Sequence, residues 1–190
     1  MNNNLNIQVY SSCNCKCSFC NFTDSCYNKI NPQFVLDYIK NNPNITYILL
    51  TGGEPTFAIE EYKQIIQGLE DFEGKVTLQT NGWWGNNDKI KTIIKEYPPI
   101  TVHVSVDYEK QKHIPLDTVK EAVKFLQDNN ITVTVVNHTE DEDEHTFYKQ
   151  HFTNLKQGYI IVDNNTDLHD CGEALLATNK IGRLNIKGWN

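Results

Sequence analysis

Short apolar runs alternate with segments of helical period from one end of the chain to the other, which restricts the fold to parallel strands joined by crossover helices. Six runs read as strands: Asn6 to Ser11, Tyr47 to Thr51, Lys75 to Thr80, Ile100 to Val106, Ile131 to Val136 and Tyr159 to Val162. The helices between them carry recognisable ends. Asn31-Pro32 caps and starts the first, whose Phe34, Val35, Tyr38 and Ile39 share a face before Pro43 stops it. Ile59, Tyr62, Ile66 and Leu69 mark the second, and Ile90, Ile93, Ile94 and Tyr97 the third. Val119, Ala122, Val123 and Leu126 mark the fourth, from about Leu116 to Asn129, and Thr139-x-x-Glu142 reads as a capping box for the fifth.

Strand parity refines the architecture. Ile100, Val102, Val104 and Val106 share one face of the fourth strand, while Thr101, His103, Ser105 and Asp107 share the other. A sheet covered by helices on both faces is apolar throughout. Gln8, Gln79, His103, Ser105, Thr132 and Thr134 therefore predict an inner face lining a polar cavity, as in a partly closed barrel. The expected organisation is one α/β domain over residues 1–163, with 164–190 as a C-terminal extension packed on it.

With 190 residues, 39% of them hydrophobic, the chain is long enough to bury a core. A net charge of -7 argues against a nucleic-acid or anionic-membrane partner, and nothing reads as a spanning helix. Arg183 is the only arginine, so an anionic ligand group must be held by lysine, hydroxyls or backbone amides.

Directly after the first strand comes Cys13-Asn14-Cys15-Lys16-Cys17-Ser18-Phe19-Cys20, a C-x3-C-x2-C triplet with an extra thiol inside it. Three thiolates can hold three irons of a cubane and leave the fourth open to a ligand. Four sulfurs, counting Cys15 and Cys26, can instead close a tetrahedral zinc shell, and spacing alone leaves both readings open. Met1-Asn2-Asn3-Asn4 does not read as a secretory leader, so crowded thiols are expected in a reducing cytoplasm.

The loops leaving the carboxyl ends of parallel strands form the ligand site of such sheets. After the cysteine loop, the second strand delivers Thr51-Gly52-Gly53-Glu54-Pro55 and the third Thr80-Asn81-Gly82. The fourth delivers Ser105 and Asp107, and the fifth Asn137 and His138. Gly52-Gly53 lets backbone approach a ligand, Glu54 is an anionic acceptor and Pro55 stiffens the exit.

The triplet with Phe19 before its last cysteine, followed one βα unit later by Gly52-Gly53-Glu54-Pro55, resembles the radical S-adenosylmethionine (radical SAM) superfamily. That resemblance implies a partial (β/α)6 barrel with a [4Fe-4S] cluster on Cys13, Cys17 and Cys20, whose open iron binds the methionine part of S-adenosylmethionine. It places the amino group against Gly52, Gly53, Glu54 and Pro55, the adenine near Phe19, and the ribose and carboxylate near Ser105, Asp107 and Asn137, with Asn81 on the same rim. One electron from the cluster would cleave the sulfonium, giving a 5′-deoxyadenosyl radical that takes hydrogen from a substrate. A reductant such as flavodoxin or ferredoxin is implied. The segment Ser105-Val106-Asp107 to Ala122 is similar to that of peptide maturases and activating enzymes, so a peptide or protein substrate is expected. A small-molecule or nucleotide-modifying enzyme, similar to carboxy-deazaguanine synthase, is the alternative, and a non-catalytic zinc-binding interaction module is the reading from another class.

Cys15, Cys26 and Cys171 remain over, and read more simply as buried or exposed thiols than as ligands of a second cluster. Trp83-Trp84 is either a substrate wall or a packed loop, and His103 a lumen histidine more than a proton donor. The acidic run Glu140 to Glu144 reads as a solvated helix start.

Overall fold

Six parallel strands run side by side in chain order: β1 (Asn4–Tyr10), β2 (Tyr47–Gly52), β3 (Lys75–Thr80), β4 (Thr101–Val106), β5 (Thr132–Asn137) and β6 (Leu155–Val162). The computed structural model describes residues 4–18, 20, 29–139, 141–162, 167–170, 175–178 and 181–186, those from 158 on through their backbone. Between the strands lie α1 (Pro32–Asn41), α2 (Ile59–Gly68), α3 (Asp88–Glu96), α4 (Tyr108–Gln111), α5 (Leu116–Asp128) and α6 (Glu142–Lys149). This is the α/β partial barrel expected from the alternation.

Local chemistry sets the helix ends. The Asn31 side chain accepts from the amides of Gln33 and Phe34 ahead of Pro32, and Asn87 accepts from Ile90 N to start α3. The capping-box expectation at Thr139 needs correction: the Asp141 carboxylate caps α6, accepting from Asp143 N and Glu144 N, while Thr139 Oγ accepts from Asp141 N. A carboxylate at the start of a helix satisfies two orphan amides and complements the dipole better than a hydroxyl. β6 begins at Leu155 instead of Tyr159, because Leu155, Lys156 and Gln157 pair with Val135, Val136 and Asn137 of β5.

Residues beyond 163 contribute β7 (Asp167–Asp170), β8 (Leu175–Thr178) and β9 (Ile181–Ile186) to both margins of the sheet, in the order β7-β8-β1-β2-β3-β4-β5-β6-β9. β8 runs antiparallel to β1 and β9 antiparallel to β6, so the backbone groups at both open edges are paired. Among the described residues no helix is long and apolar enough to cross a membrane.

The two faces of the sheet differ in chemistry. Leu5, Ile7, Val9, Ile48, Leu50, Leu78, Val102 and Val104 are fully buried. Val104 lies on the α5 side, since a side chain at Gly82 would touch Val104, Val119 and Ala122 together. On the opposite face Gln8 is level with Thr51, and Gln79, His103 and Thr134 are level with one another. Adjacent residues of a parallel register share a face, so these side chains form a polar belt inside the barrel. Thr132 is exposed at its lower end. Between Gln8 and Tyr10 the register of β1 against β2 shifts, just before the chain leaves for the cysteine loop.

Candidate functional site

Two backbone hydrogen bonds fasten the start of the cysteine loop to the glycine turn: Gly53 N donates to Tyr10 O and Glu54 N to Ser12 O, each at 2.8 Å. The glycines are required for different reasons. Gly52 has φ +134°, which side-chain-bearing residues rarely adopt, whereas a Cβ on Gly53 would stand 2.1 Å from Ser12 O. Pro55 then opens a buried 3-10 turn, Pro55–Ala58.

Within the loop Cys15 and Cys17 are buried, Cys13 and Cys20 are half-buried, and none of the four is in a disulfide. Cys20 N donates to Cys17 O at 3.1 Å, and Cys15 N to Cys13 Sγ at 3.3 Å. The Cys15 thiol bridges its neighbours. Its hydrogen bond lowers the Cys13 pKa, and together with the Lys110 charge lowers that of Cys17. The same contacts and burial push Cys15 up, so it stays protonated. Phe19, Cys26 and Cys171 lie outside the described residues.

Glu54 is buried beneath this loop, with its carboxylate turned into the protein. Oε1 accepts from Thr56 N at 3.2 Å, Thr56 Oγ at 2.6 Å and Thr80 Oγ at 2.8 Å, and Oε2 accepts from Asn81 N at 2.8 Å. Burial raises its pKa against the pull of these donors. Asn81, also buried, reaches back to the loop. Its Nδ2 lies 2.8 Å from Asn14 Oδ1 and 3.6 Å from both Cys13 Sγ and Cys15 Sγ.

On the far side of the rim Ser105 Oγ donates to Thr80 O at 3.2 Å. Asp107 caps α4 through Lys110 N at 2.8 Å and pairs with the Lys110 ammonium, both side chains being largely buried. Asn137 is fully buried: its Nδ2 donates to Val106 O at 3.0 Å and Glu144 Oε1 at 3.1 Å, and its Oδ1 faces His145 Nδ1 at 3.3 Å. The sequence-derived residues thus gather on one rim, but Glu54, Asp107 and Asn137 meet protein groups there.

Sequence reasoning missed Lys110, placed Thr80 on the rim without a role, and read Glu144 as part of a solvated helix start, whereas it is buried. Lys110 had a usable signal, since Asp107 and Lys110 stand three apart at a helix start, where opposite charges face each other. Nothing in the acidic run singled Glu144 out, because α6 brings it in from outside the rim motifs to accept from Tyr108 N and Asn137. Trp83 and Trp84 divide the two readings of their dipeptide. Trp84 is fully buried, donating to Thr80 Oγ at 3.0 Å, whereas Trp83 stacks on Phe57 at 4.4 Å and donates to Thr56 Oγ.

The donor set suits an iron-sulfur cluster. Soft thiols sit in one short loop, two with pKa values already lowered, a buried lysine offsets negative charge, and an amide donor faces the Cys13 sulfur. Among the described residues no three thiol, imidazole or carboxylate groups form a preformed metal cage.

Comparison with known proteins gives the same direction. The model of the Radical SAM superfamily matches residues 7–147. YydG of Bacillus subtilis strain 168, named for peptide biosynthesis, is 27% identical over 93 residues, covering 46% of this chain and 29% of its own. The solved structure of anSMEcpe with bound AdoMet and Cp18Cys peptide superimposes with a TM-score of 0.62 at 17% identity, over 84% of this chain and 52% of that one. BtrN in complex with AdoMet and 2-DOIA gives 0.57 at 13% identity, over 83% and 69%. The chain spans about half of anSMEcpe and under a third of YydG. With the cysteine triplet, the glycine turn and the barrel all inside the matched span, the chain belongs to the radical SAM superfamily.

Proposed function

We propose that the chain binds a [4Fe-4S] cluster through Cys13, Cys17 and Cys20 and uses it to cleave S-adenosylmethionine reductively, taking hydrogen from a peptide or protein substrate. The observation that carries this reading is the pair of hydrogen bonds from the Gly52-to-Pro55 turn to Tyr10 and Ser12. They hold the cysteine loop beside a glycine turn whose backbone lets a small ligand come close. Bound there, the cluster supplies the electron that no side chain can provide.

The amides of Gly53 and Glu54 are engaged by Tyr10 and Ser12, so the turn offers a ligand ammonium its carbonyl oxygens. Lys110 offsets the charge gathered on the thiolates, and Asp107 orients it. Ser105 keeps oxygen lone pairs for a ligand hydroxyl, while Asn137 acts through Glu144 as a positioning residue. The polar belt of Gln8, Thr51, Gln79, His103 and Thr134 receives the substrate's polar groups. The assignment of Phe19 to the adenine rests on the motif.

The peptide class is supported by the peptide held in anSMEcpe and the name of YydG. A small-molecule substrate is the second reading, favoured by BtrN with 2-DOIA. We further read 1–163 as the catalytic barrel, 164–190 as its extension, flavodoxin or ferredoxin as the reductant and the cytoplasm as the location.

The test is anaerobic reconstitution with iron and sulfide, reduction, and mass-spectrometric detection of 5′-deoxyadenosine, with Cys17→Ala as control. Iron near four per chain, with 5′-deoxyadenosine from the wild type alone, supports the proposal. Bound zinc, or no cleavage under several reductants, overturns it.

A further inference from the structure

Asn81 stands between the two motifs. Its backbone amide donates to Glu54 Oε2 at 2.8 Å, and its side-chain oxygen accepts from Trp83 N at 3.1 Å. A backbone N–H only donates, so the Trp83 contact fixes which end of the carboxamide is oxygen. The NH2 group must then face Asn14 Oδ1 at 2.8 Å, with Cys13 Sγ and Cys15 Sγ both at 3.6 Å. One of its two hydrogens satisfies Asn14, and the other is directed at sulfur. The residue is 4% exposed, so water competes little for that hydrogen.

We propose that Asn81 is a positioning residue that sets the reduction potential of the cluster by donating its side-chain N–H to the Cys13 sulfur. This rests on the cluster assignment made above. A hydrogen bond to a ligating thiolate draws electron density off the metal and favours the reduced, more negative state, so it raises the potential. The donor is held at three points, through Glu54, Trp83 and Asn14, and all three partners sit on the two motif loops or beside them. The Glu54 carboxylate therefore acts on the cluster at one remove, by fixing the backbone of the residue whose carboxamide faces the Cys13 sulfur.

Two variants test the inference in reconstituted protein by EPR-monitored redox titration with iron counted in parallel. Asn81→Ala removes the donor. Asn81→Asp keeps the shape and the acceptor for Trp83 N, but places a carboxylate against the sulfur. The expected order of midpoint potentials is wild type highest, Asn81→Ala lower and Asn81→Asp lowest, at equal iron per chain. Coincident midpoints in three equally loaded proteins overturn the inference. So does an Asn81→Asp chain with native circular dichroism that cannot be loaded, since Asn81 would then be needed for assembly. A wild type that takes up no four-iron cluster overturns the cluster assignment itself, a different outcome from either.

Discussion

The Thr80 hydroxyl donates to the Glu54 carboxylate at 2.8 Å in the buried space between the carboxyl ends of β2 and β3. The same hydroxyl accepts from Gly82 N at 3.1 Å and from Trp84 Nε1 at 3.0 Å. One side chain thereby joins the Gly-Gly-Glu-Pro turn, the Asn81-Gly82 turn and the packing of the Trp84 indole.

Replacing Glu54 with Gln keeps its volume but turns an NH2 group toward either Asn81 N–H or the three donors on Oε1. A donor is then left facing a donor in a buried site, which costs about 1–3 kcal/mol. Thermal unfolding of Glu54→Gln should show a clear fall in midpoint. An unchanged midpoint would mean that the carboxylate is protonated in the native protein.

Gly53→Ala should be worse for metal retention than for folding. Its Cβ would stand 2.1 Å from Ser12 O, so the turn or the first residues of the cysteine loop must move. Overpacking of this kind costs about 1–3 kcal/mol, and the residues displaced lead directly into Cys13. Iron per chain after reconstitution should drop well below wild type while circular dichroism stays native. Full iron loading would show that the turn does not hold the loop.

Burial pulls the His103 pKa down to about 4, against about 6.5 in the unfolded chain. Between these values the unfolded chain binds a proton that the folded one refuses, so stability falls as pH drops through that window. For His103→Gln this contribution is absent. The variant should lose about 3 kcal/mol less than wild type between pH 7 and pH 4, measured by urea unfolding. His138, lowered to about 3, leaves a residual slope of the same sign in both proteins.

The two adjacent tryptophans should separate cleanly. Trp84→Ala empties a fully buried site beside Phe125 and should cost about 3–5 kcal/mol. Trp83→Ala removes a half-buried ring stacked on Phe57 and should cost less than half of that, judged by denaturant midpoints. Equal losses would place Trp83 in the core instead of on the rim.

The fold was legible because apolar runs alternate with helical segments along the chain and four of the helices repeat an apolar stripe, so Val104, Val119 and Ala122 meet as parity and period require. The rim was legible because chain order in a parallel sheet brings successive loops together. What parity cannot show is where a polar side chain points once its loop is placed. Glu54 read as a ligand acceptor, yet four protein donors surround its oxygens. Asn137 likewise turns to Glu144, a partner supplied by a helix outside every rim motif. Lys110 could be paired with Asp107 from their spacing, but its burial beside the cysteine loop follows only from where the strand end places that pair. The edge strands β8 and β9 escaped because antiparallel edge pairing is decided by open backbone groups more than by side-chain pattern.

The slip in pairing between Gln8 and Tyr10 acts as a phase setting for everything downstream. Side chains in an extended strand change sides at every step, so a single-residue insertion before Tyr10 would have to be absorbed by the slip or would invert the segment. Tyr10 O and Ser12 O would then no longer meet Gly53 N and Glu54 N, and the thiols beyond them would be indexed to the wrong side of the sheet. Length changes should accordingly be tolerated between the helices and strands of the outer layer but not within these few residues of β1.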